Sequence, residues 1–156
     1  NKQLNQLNGS FQSLLQVSHN VRIRKNVNLE RVENIFNSLT KVGGSLKVFK
    51  NDELSVIENS FQKLEQIEFS FSLAGNPCLT KISNSFNLLK TVGLDVDINT
   101  GSTKLSNKGI VDSSFNDLDI VGGLIYCSEL FDFIPQMHAD SKVIIVGNSS
   151  LANKRK

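Results

Sequence analysis

The sequence predicts a mainly β, parallel β-solenoid of about 25 residues per coil, and three observations carry that prediction. Phe11, Phe36, Phe61 and Phe86 recur at intervals of 25, and Phe115 follows 29 later. Around each Phe the same apolar columns return: Leu7, Val32, Ile57, Ile82 and Val111 four residues before, and Leu14, Leu39, Leu64, Leu89 and Leu118 three residues after. A strict apolar–polar alternation also appears once per unit, which is the period of a half-buried strand. Agreement across several columns at one fixed period marks stacked units that complete one another's core.

The unit from Phe36 justifies each element in order. Val42 closes the first apolar stretch, as do Val17, Ile67, Val92 and Val121 in the other units. Gly43 and Gly44 then mark a corner, repeated at Gly93 and at Gly122 and Gly123; a residue without Cβ can take a positive φ, so a sharp turn is expected there. Ser18 and His19 replace the glycines in the first unit, and Glu68 and Phe69 in the third. Next comes a strand with Leu46 and Val48 inward and Ser45, Lys47 and Phe49 outward. Its inward pair recurs as Val21/Ile23, Phe71/Leu73, Val96/Ile98 and Ile125/Cys127, so these strands are expected to stack as one parallel sheet.

Asn26, Asn51 and Asn76 stand fifteen residues after their Phe, and Asn148 holds that place in a final unit. Asn34, Asn59 and Asn84 form a second column two residues before the Phe. A short amide at a bend satisfies backbone groups of its own and adjacent coils, so ladders are expected rather than a ligand site. Asn8-Gly9-Ser10 and Asn148-Ser149-Ser150 match the N-glycosylation pattern, which means little in a chain this rich in Asn and Ser.

The units fall near 4–35, 36–60, 61–85, 86–114 and 115–134, followed by an irregular terminal unit at 135–151 and a basic tail at 152–156, all in one repeat domain spanning 1–156. Four extra positions between 99 and 109 predict a protruding loop, and Pro135 after Phe131 to Ile134 predicts a capping segment. The chain begins without Met, and Leu4 and Leu7 already keep the spacing, so further repeats upstream in a parent protein are expected. The polar start has no signal-peptide character, and the absence of an 18-residue apolar run argues against a spanning helix.

The net charge of +2 hides a gradient. Residues 1–50 carry eight basic and two acidic side chains (8 − 2 = +6), and residues 111–150 carry one Lys and six carboxylates (1 − 6 = −5). Stacking in chain order turns this into polarity along the axis, which predicts either a partner with matching asymmetry or head-to-tail self-association. An ordinary solvated surface is the plainer alternative. Cys78 and Cys127 lie in different columns about 10 Å apart at the strand spacing, beyond the roughly 7 Å Cα limit of a bridge. Two free thiols are expected, with no metal site and no cofactor.

The text Phe-x-x-Leu-x-x-Val-Gly-Gly-x-Leu-x-Val-x-x-Asn-x-x-Leu-x-x-Ile, complete from 36 to 57, resembles the receptor L domain and L-domain-like leucine-rich-repeat surface proteins. The resemblance spans about residues 4–151. It implies a short right-handed, leucine-rich-repeat-like solenoid at the cell surface or secreted, binding protein or carbohydrate. The paired flanking cysteines of animal receptors are missing, and no binding residue transfers by motif.

Outward strand positions read from basic through small to acidic: Asn20, Arg22, Arg24; Ser45, Lys47, Phe49; Ser70, Ser72, Ala74; Asp95, Asp97, Asn99; Leu124, Tyr126, Ser128. Aromatic and Arg side chains are the usual anchors of interfaces. The candidate ligand-binding residues are therefore Arg22, Arg24, Lys47, Phe49, Asp95, Asp97 and Tyr126, serving a non-catalytic binding or adhesion module that recognises a protein or glycan. The alternative is a structural spacer or self-assembling segment of a larger surface protein. An enzyme is not expected: Asp95 and Asp97 stand about 7 Å apart on one face, a separation compatible with glycoside chemistry, yet no basic or His partner accompanies them. His19 and His138 are isolated. Arg22, Arg24, Lys25 and Arg31 suggest nucleic acid only locally, since the acidic end repels phosphate, so no nucleic-acid partner and no membrane insertion are expected. A Thr-x-Thr array for ice binding is absent.

Overall fold

The computed structural model describes residues 1–98, 110–112, 114–127 and 142–145. The inserted loop at 99–109, the capping segment around Pro135, and Asn99, Ser128, His138, Asn148 and the basic tail lie outside the described residues.

The described chain is a β-solenoid of about four turns with no helix, each coil contributing to three parallel sheets. Sheet A holds β1 (Gln6–Asn8), β4 (Arg31–Glu33), β7 (Val56–Glu58), β10 (Lys81–Ser83) and β13 (Ile110–Asp112). Sheet B holds β2 (Gln16–Val17), β5 (Lys41–Val42), β8 (Gln66–Ile67), β11 (Thr91–Val92) and β14 (Ile120–Val121). Sheet C holds β3 (Val21–Arg24), β6 (Leu46–Phe49), β9 (Phe71–Ser72), β12 (Val96–Ile98), β15 (Leu124–Cys127) and β16 (Lys142–Ile145). Sheet C is the sheet read from the alternation. Sheets A and B carry the apolar columns before and after each Phe, in strands of two or three residues.

Register follows the repeat: Leu7 pairs with Val32, Val32 with Ile57, Ile57 with Ile82, and Ile82 with Val111 across the longer fourth unit. Identical columns therefore stack directly. Val32, Ile57, Ile82, Leu39, Leu64, Leu89, Leu29 and Leu54 lose essentially all contact with water, as do Leu46, Val48, Phe71, Leu73, Val96 and Ile98 on the inner face of sheet C. One coil alone would leave this face wet, so burial comes from the neighbours above and below.

The Phe column is the most ordered part of that interior. Phe11, Phe36, Phe61, Phe86 and Phe115 stack with centroids 4.6, 5.2, 4.9 and 5.0 Å apart and rings within 16° of parallel. Phe71 meets Phe86 edge-on at 5.0 Å, which ties sheet C to the stack. All five stacked Phe residues have positive φ, between 53° and 59°. A left-handed residue with a Cβ costs about 1 to 2 kcal/mol, whereas burying a Phe side chain yields about 1.5 to 3 kcal/mol and each aromatic pair about 0.5 to 1.5 more. The stack wins, and the corner is held by the bulkiest residue in the unit.

The glycines do something other than the expected positive φ. Only Gly9 and Gly75 take it among the described glycines. Left-handed turns fall instead on the Phe column, on Asn34, Asn59 and Asn84, and on Lys25 and Lys50. Gly43, Gly93 and Gly122 are needed for close approach: a Cβ there would lie 2.4, 2.0 and 2.2 Å from the carbonyl oxygens of Ser18, Glu68 and Gly93 in the coil before. Glu68 stands in the same column with a side chain, and its carboxylate meets Lys41.

Phe61→Ala, in the middle of the array, is expected to lower the unfolding free energy by about 3 to 5 kcal/mol. Phe11→Ala, at a ring 57% exposed, should cost about 1 kcal/mol. Urea unfolding followed by circular dichroism measures both, and a loss below about 1 kcal/mol at Phe61 would remove that ring from the core.

Candidate functional site

Sheet C carries the candidate face. From Val21 to Ile125 its inner residues are buried, so alternation turns Arg22 and Arg24 outward and exposed, and leaves Lys47, Phe49, Asp95, Asp97 and Tyr126 half-exposed. Register sets Arg22 against Lys47, Lys47 against Ser72, Ser72 against Asp97, and Asp97 against Tyr126. The predicted site residues thus share one surface, as a ladder of charge along the axis rather than a cleft.

One face of Phe49 is taken by a neighbouring candidate. The Arg24 guanidinium lies 5.9 Å from the centroid of the Phe49 ring, its register partner, in cation–π range. This fixes the long Arg side chain over the strand and holds its charge at the surface.

Asp95 has work inside the fold. Its Oδ1 accepts a hydrogen bond from the Leu124 backbone N–H at 2.8 Å, and a Cβ on Gly123 would lie 2.3 Å from the same oxygen. Asn20 does likewise one end away: its Oδ1 accepts from the Ser45 N–H at 2.8 Å and would lie 2.8 Å from a Cβ on Gly44. The second glycine of each Gly-Gly pair therefore sits over an Asn or Asp of the coil before. Where that position is Ser45 or Ser70 the residue above is Phe69 or Leu94, large and about half exposed. Asp95 is a coil-to-coil connector, and the pair Asp95 and Asp97 is not two free carboxylates facing a substrate.

The Asn column forms the ladder read from the sequence. Asn26 donates through Nδ2 to Asn51 Oδ1 at 3.2 Å, and Asn51 to Asn76 Oδ1 at 3.2 Å, while Asn51 and Asn76 also donate to the carbonyls of Ile23 and Val48. Both are completely buried, which makes them structural. A parallel ladder escaped sequence reading: Ser60, Ser85 and Ser114 accept from the backbone N–H of Ile35, Ser60 and Ser85 at 3.0 to 3.3 Å. The signal was a Ser directly before Phe61, Phe86 and Phe115.

Sheet A shows how the same fold handles charge when it is neutralised. Arg31 bonds Glu33 and lies 3.6 Å from Glu58, and Lys81 donates to Glu58 at 2.8 Å. The Lys81 ammonium, and then the Ser83 hydroxyl, hold the Glu58 carboxyl below the usual glutamate range. Sheet C has no such pairing at its basic end. Lys25 and Lys50 stack at the corner that ends β3 and β6, the Lys25 N–H donating to the Lys50 carbonyl. Arg22, Arg24, Lys25, Lys47 and Lys50 make no ion pair among the described residues. Asp52 and Glu53, the next carboxylates in the chain, do not reach them.

A shallow recess of about 300 Å³ lies on the sheet B side, above Gly43 and beside Phe69 and the Lys41–Glu68 ion pair, away from the charged ladder. Cys78 is a free, half-buried thiol. No group of three metal-ligating side chains occurs among the described residues, and no described helix is long and apolar enough to cross a membrane.

Because the folded-state pKa of Glu58 is depressed, its contribution is full above the ordinary carboxylate value and is lost as pH falls through the folded value. Glu58→Gln should therefore cost up to about 1 kcal/mol at neutral pH, and the gap to the parent should close on acidification below pH about 4.5. Urea midpoints across pH 3 to 7 measure it; a gap that widens in acid has the wrong sign. Gly123→Ala should cost about 1 to 3 kcal/mol through its contact with Asp95. Asp95→Ser, which copies the coils where Ser45 and Ser70 lie under large residues, should return part of that loss in a double-mutant cycle, and strict additivity would refute the coupling.

Comparison with protein-family models, with curated proteins and with solved structures finds no match to this chain. The likeness to receptor L domains rests on the repeat text alone.

Proposed function

We propose that the chain is a non-catalytic binding or adhesion module of a cell-surface or secreted protein, of receptor-L-domain type, that docks a protein or glycan on the outer face of sheet C. The observation that supports this reading most is the ladder of outward side chains in strict register, Arg22, Lys47, Ser72, Asp97 and Tyr126, flanked by the Arg24–Phe49 pair. A parallel sheet held from beneath by a dry core presents these groups at fixed spacing, so little ordering is needed on binding. Arg and aromatic residues supply anchors, and Ser70, Ser72 and Ala74 between the charged ends leave the centre of the face low.

The second reading, a spacer or self-assembling segment, is favoured by the axial charge gradient of +6 in residues 1–50 against −5 in residues 111–150. The two readings separate in one set of measurements. A glycan and protein array probed with the chain should give hits that weaken at least tenfold when Arg22, Lys47 and Phe49 are changed together to Ala. Hits that survive unchanged would move the site off sheet C. No hits at all, with sedimentation showing assembly that dissolves as salt rises, would favour the spacer.

A further inference from the structure

We propose that the ligand of sheet C is an acidic glycan, a chain of sugars bearing sulfate or uronate carboxylate groups, held by Arg22, Arg24, Lys25, Lys47 and Lys50 on the first two coils; this rests on the sheet C reading above. The warrant is an arrangement that folding alone does not favour. Like charges directly opposite one another in a sheet are destabilising, yet register sets Arg22 against Lys47, and Lys25 bonds through its backbone to Lys50. Sheet A also sets like against like, Glu33 opposite Glu58, but there the adjoining row supplies Arg31 and Lys81, which pair with both carboxylates. The chain therefore has the means to neutralise a column and does not use it here. Unneutralised like charge at a fixed spacing is what a local departure from folding consistency leads to at a binding site.

The geometry narrows the anion. Successive coils lie about 4.8 Å apart and alternate residues of one strand about 7 Å apart, so the cations form a small grid that suits several anionic groups on one flexible chain. Ser45 stands beside the grid; its Oγ accepts from the Ser70 N–H, which leaves its own proton to donate to a sugar hydroxyl. Nucleic acid fits less well. Base stacking needs an open aromatic face, and the half-buried Phe49 ring already has the Arg24 guanidinium over one face. An acidic peptide would find no apolar pocket among Ser70, Ser72 and Ala74 to anchor its side chains.

The test is binding of the intact chain, by isothermal titration calorimetry, to dextran sulfate and to polygalacturonate, with neutral dextran, single-stranded poly-dT and poly-glutamate as controls. Binding to one or both acidic glycans, at least tenfold tighter than to poly-dT or poly-glutamate and absent with neutral dextran, is expected. The sulfated and the uronate arm tell which acid group is recognised. Affinity should fall at least tenfold in Arg22→Ala/Lys47→Ala and should be unchanged in Lys81→Ala, on sheet A. If poly-dT or poly-glutamate binds as tightly as the glycans, the glycan class is overturned. If no polyanion binds while a neutral array hit still depends on Lys47 and Phe49, the acidic ligand fails and the sheet C reading stands. If acidic glycans bind but the Arg22/Lys47 variant binds equally, both fail.

Discussion

Register between coils is the constraint on which everything else in this protein depends. Backbone N–H groups of one coil donate to carbonyls of an adjacent coil at the same position in the repeat, Thr40 to Leu15 and Glu65 to Thr40 in the coil before, so whatever stands in a column stands over its own kind. For apolar residues this is favourable without limit, and the Phe stack shows how far it goes, since it holds five residues in a backbone region that L side chains rarely occupy. For Asn and Ser it is favourable as well, because an amide or hydroxyl can both accept from one neighbour and donate to another. Charge is the exception: a column of one sign repels itself.

The protein meets that difficulty in different ways on different sheets. On sheet A the like-charged row of Glu33 and Glu58 lies beside the row of Arg31 and Lys81, whose cations pair with it, so the two rows neutralise each other. On sheet C the sign changes only over the whole length of the stack, from Arg22 and Lys47 to Asp97, with Ser72 between. At about 5 Å two like charges repel by about 1 kcal/mol in water, a cost the buried columns absorb easily. The face is tolerable to the fold and still unneutralised toward solvent.

Much of the architecture was legible because a repeat writes each position several times. The alternation around Leu46 and Val48 gave sheet C, and the Asn at 26, 51 and 76 gave the ladder, since a small amide at a bend has few other uses. Sheets A and B were not legible as strands, because Lys41–Val42 or Arg31–Glu33 is too short to show a period; only stacking makes them sheets. The glycine corners were misread for a physical reason. Positive φ is a local preference of Gly, but here the ring stack overrides local preference and places Phe in that region, while Gly43, Gly93 and Gly122 answer a clash with the coil before that no single repeat reveals. The candidate site was legible as a face, yet the roles within it were not. Asp95 looked like an outward acid until Gly123 and the Leu124 N–H gave it a partner in the next coil.

That distinction between connector and outward charge separates the acidic end of sheet C from its basic end. Asp95 spends one oxygen on the backbone, and replacing it would leave the Leu124 N–H without its acceptor, so its identity is tied to folding. Arg22 and Lys47 lie in the neighbouring outward row, with Ser72 and Asp97, and Arg24 in the row of Phe49; a guanidinium or ammonium has only donors, so none of them can accept from a backbone N–H of the next coil as Asn20 and Asp95 do. These cations cannot serve as backbone connectors of that kind. Their charge at consecutive coils therefore takes no part in the backbone connections between coils and is turned to solvent.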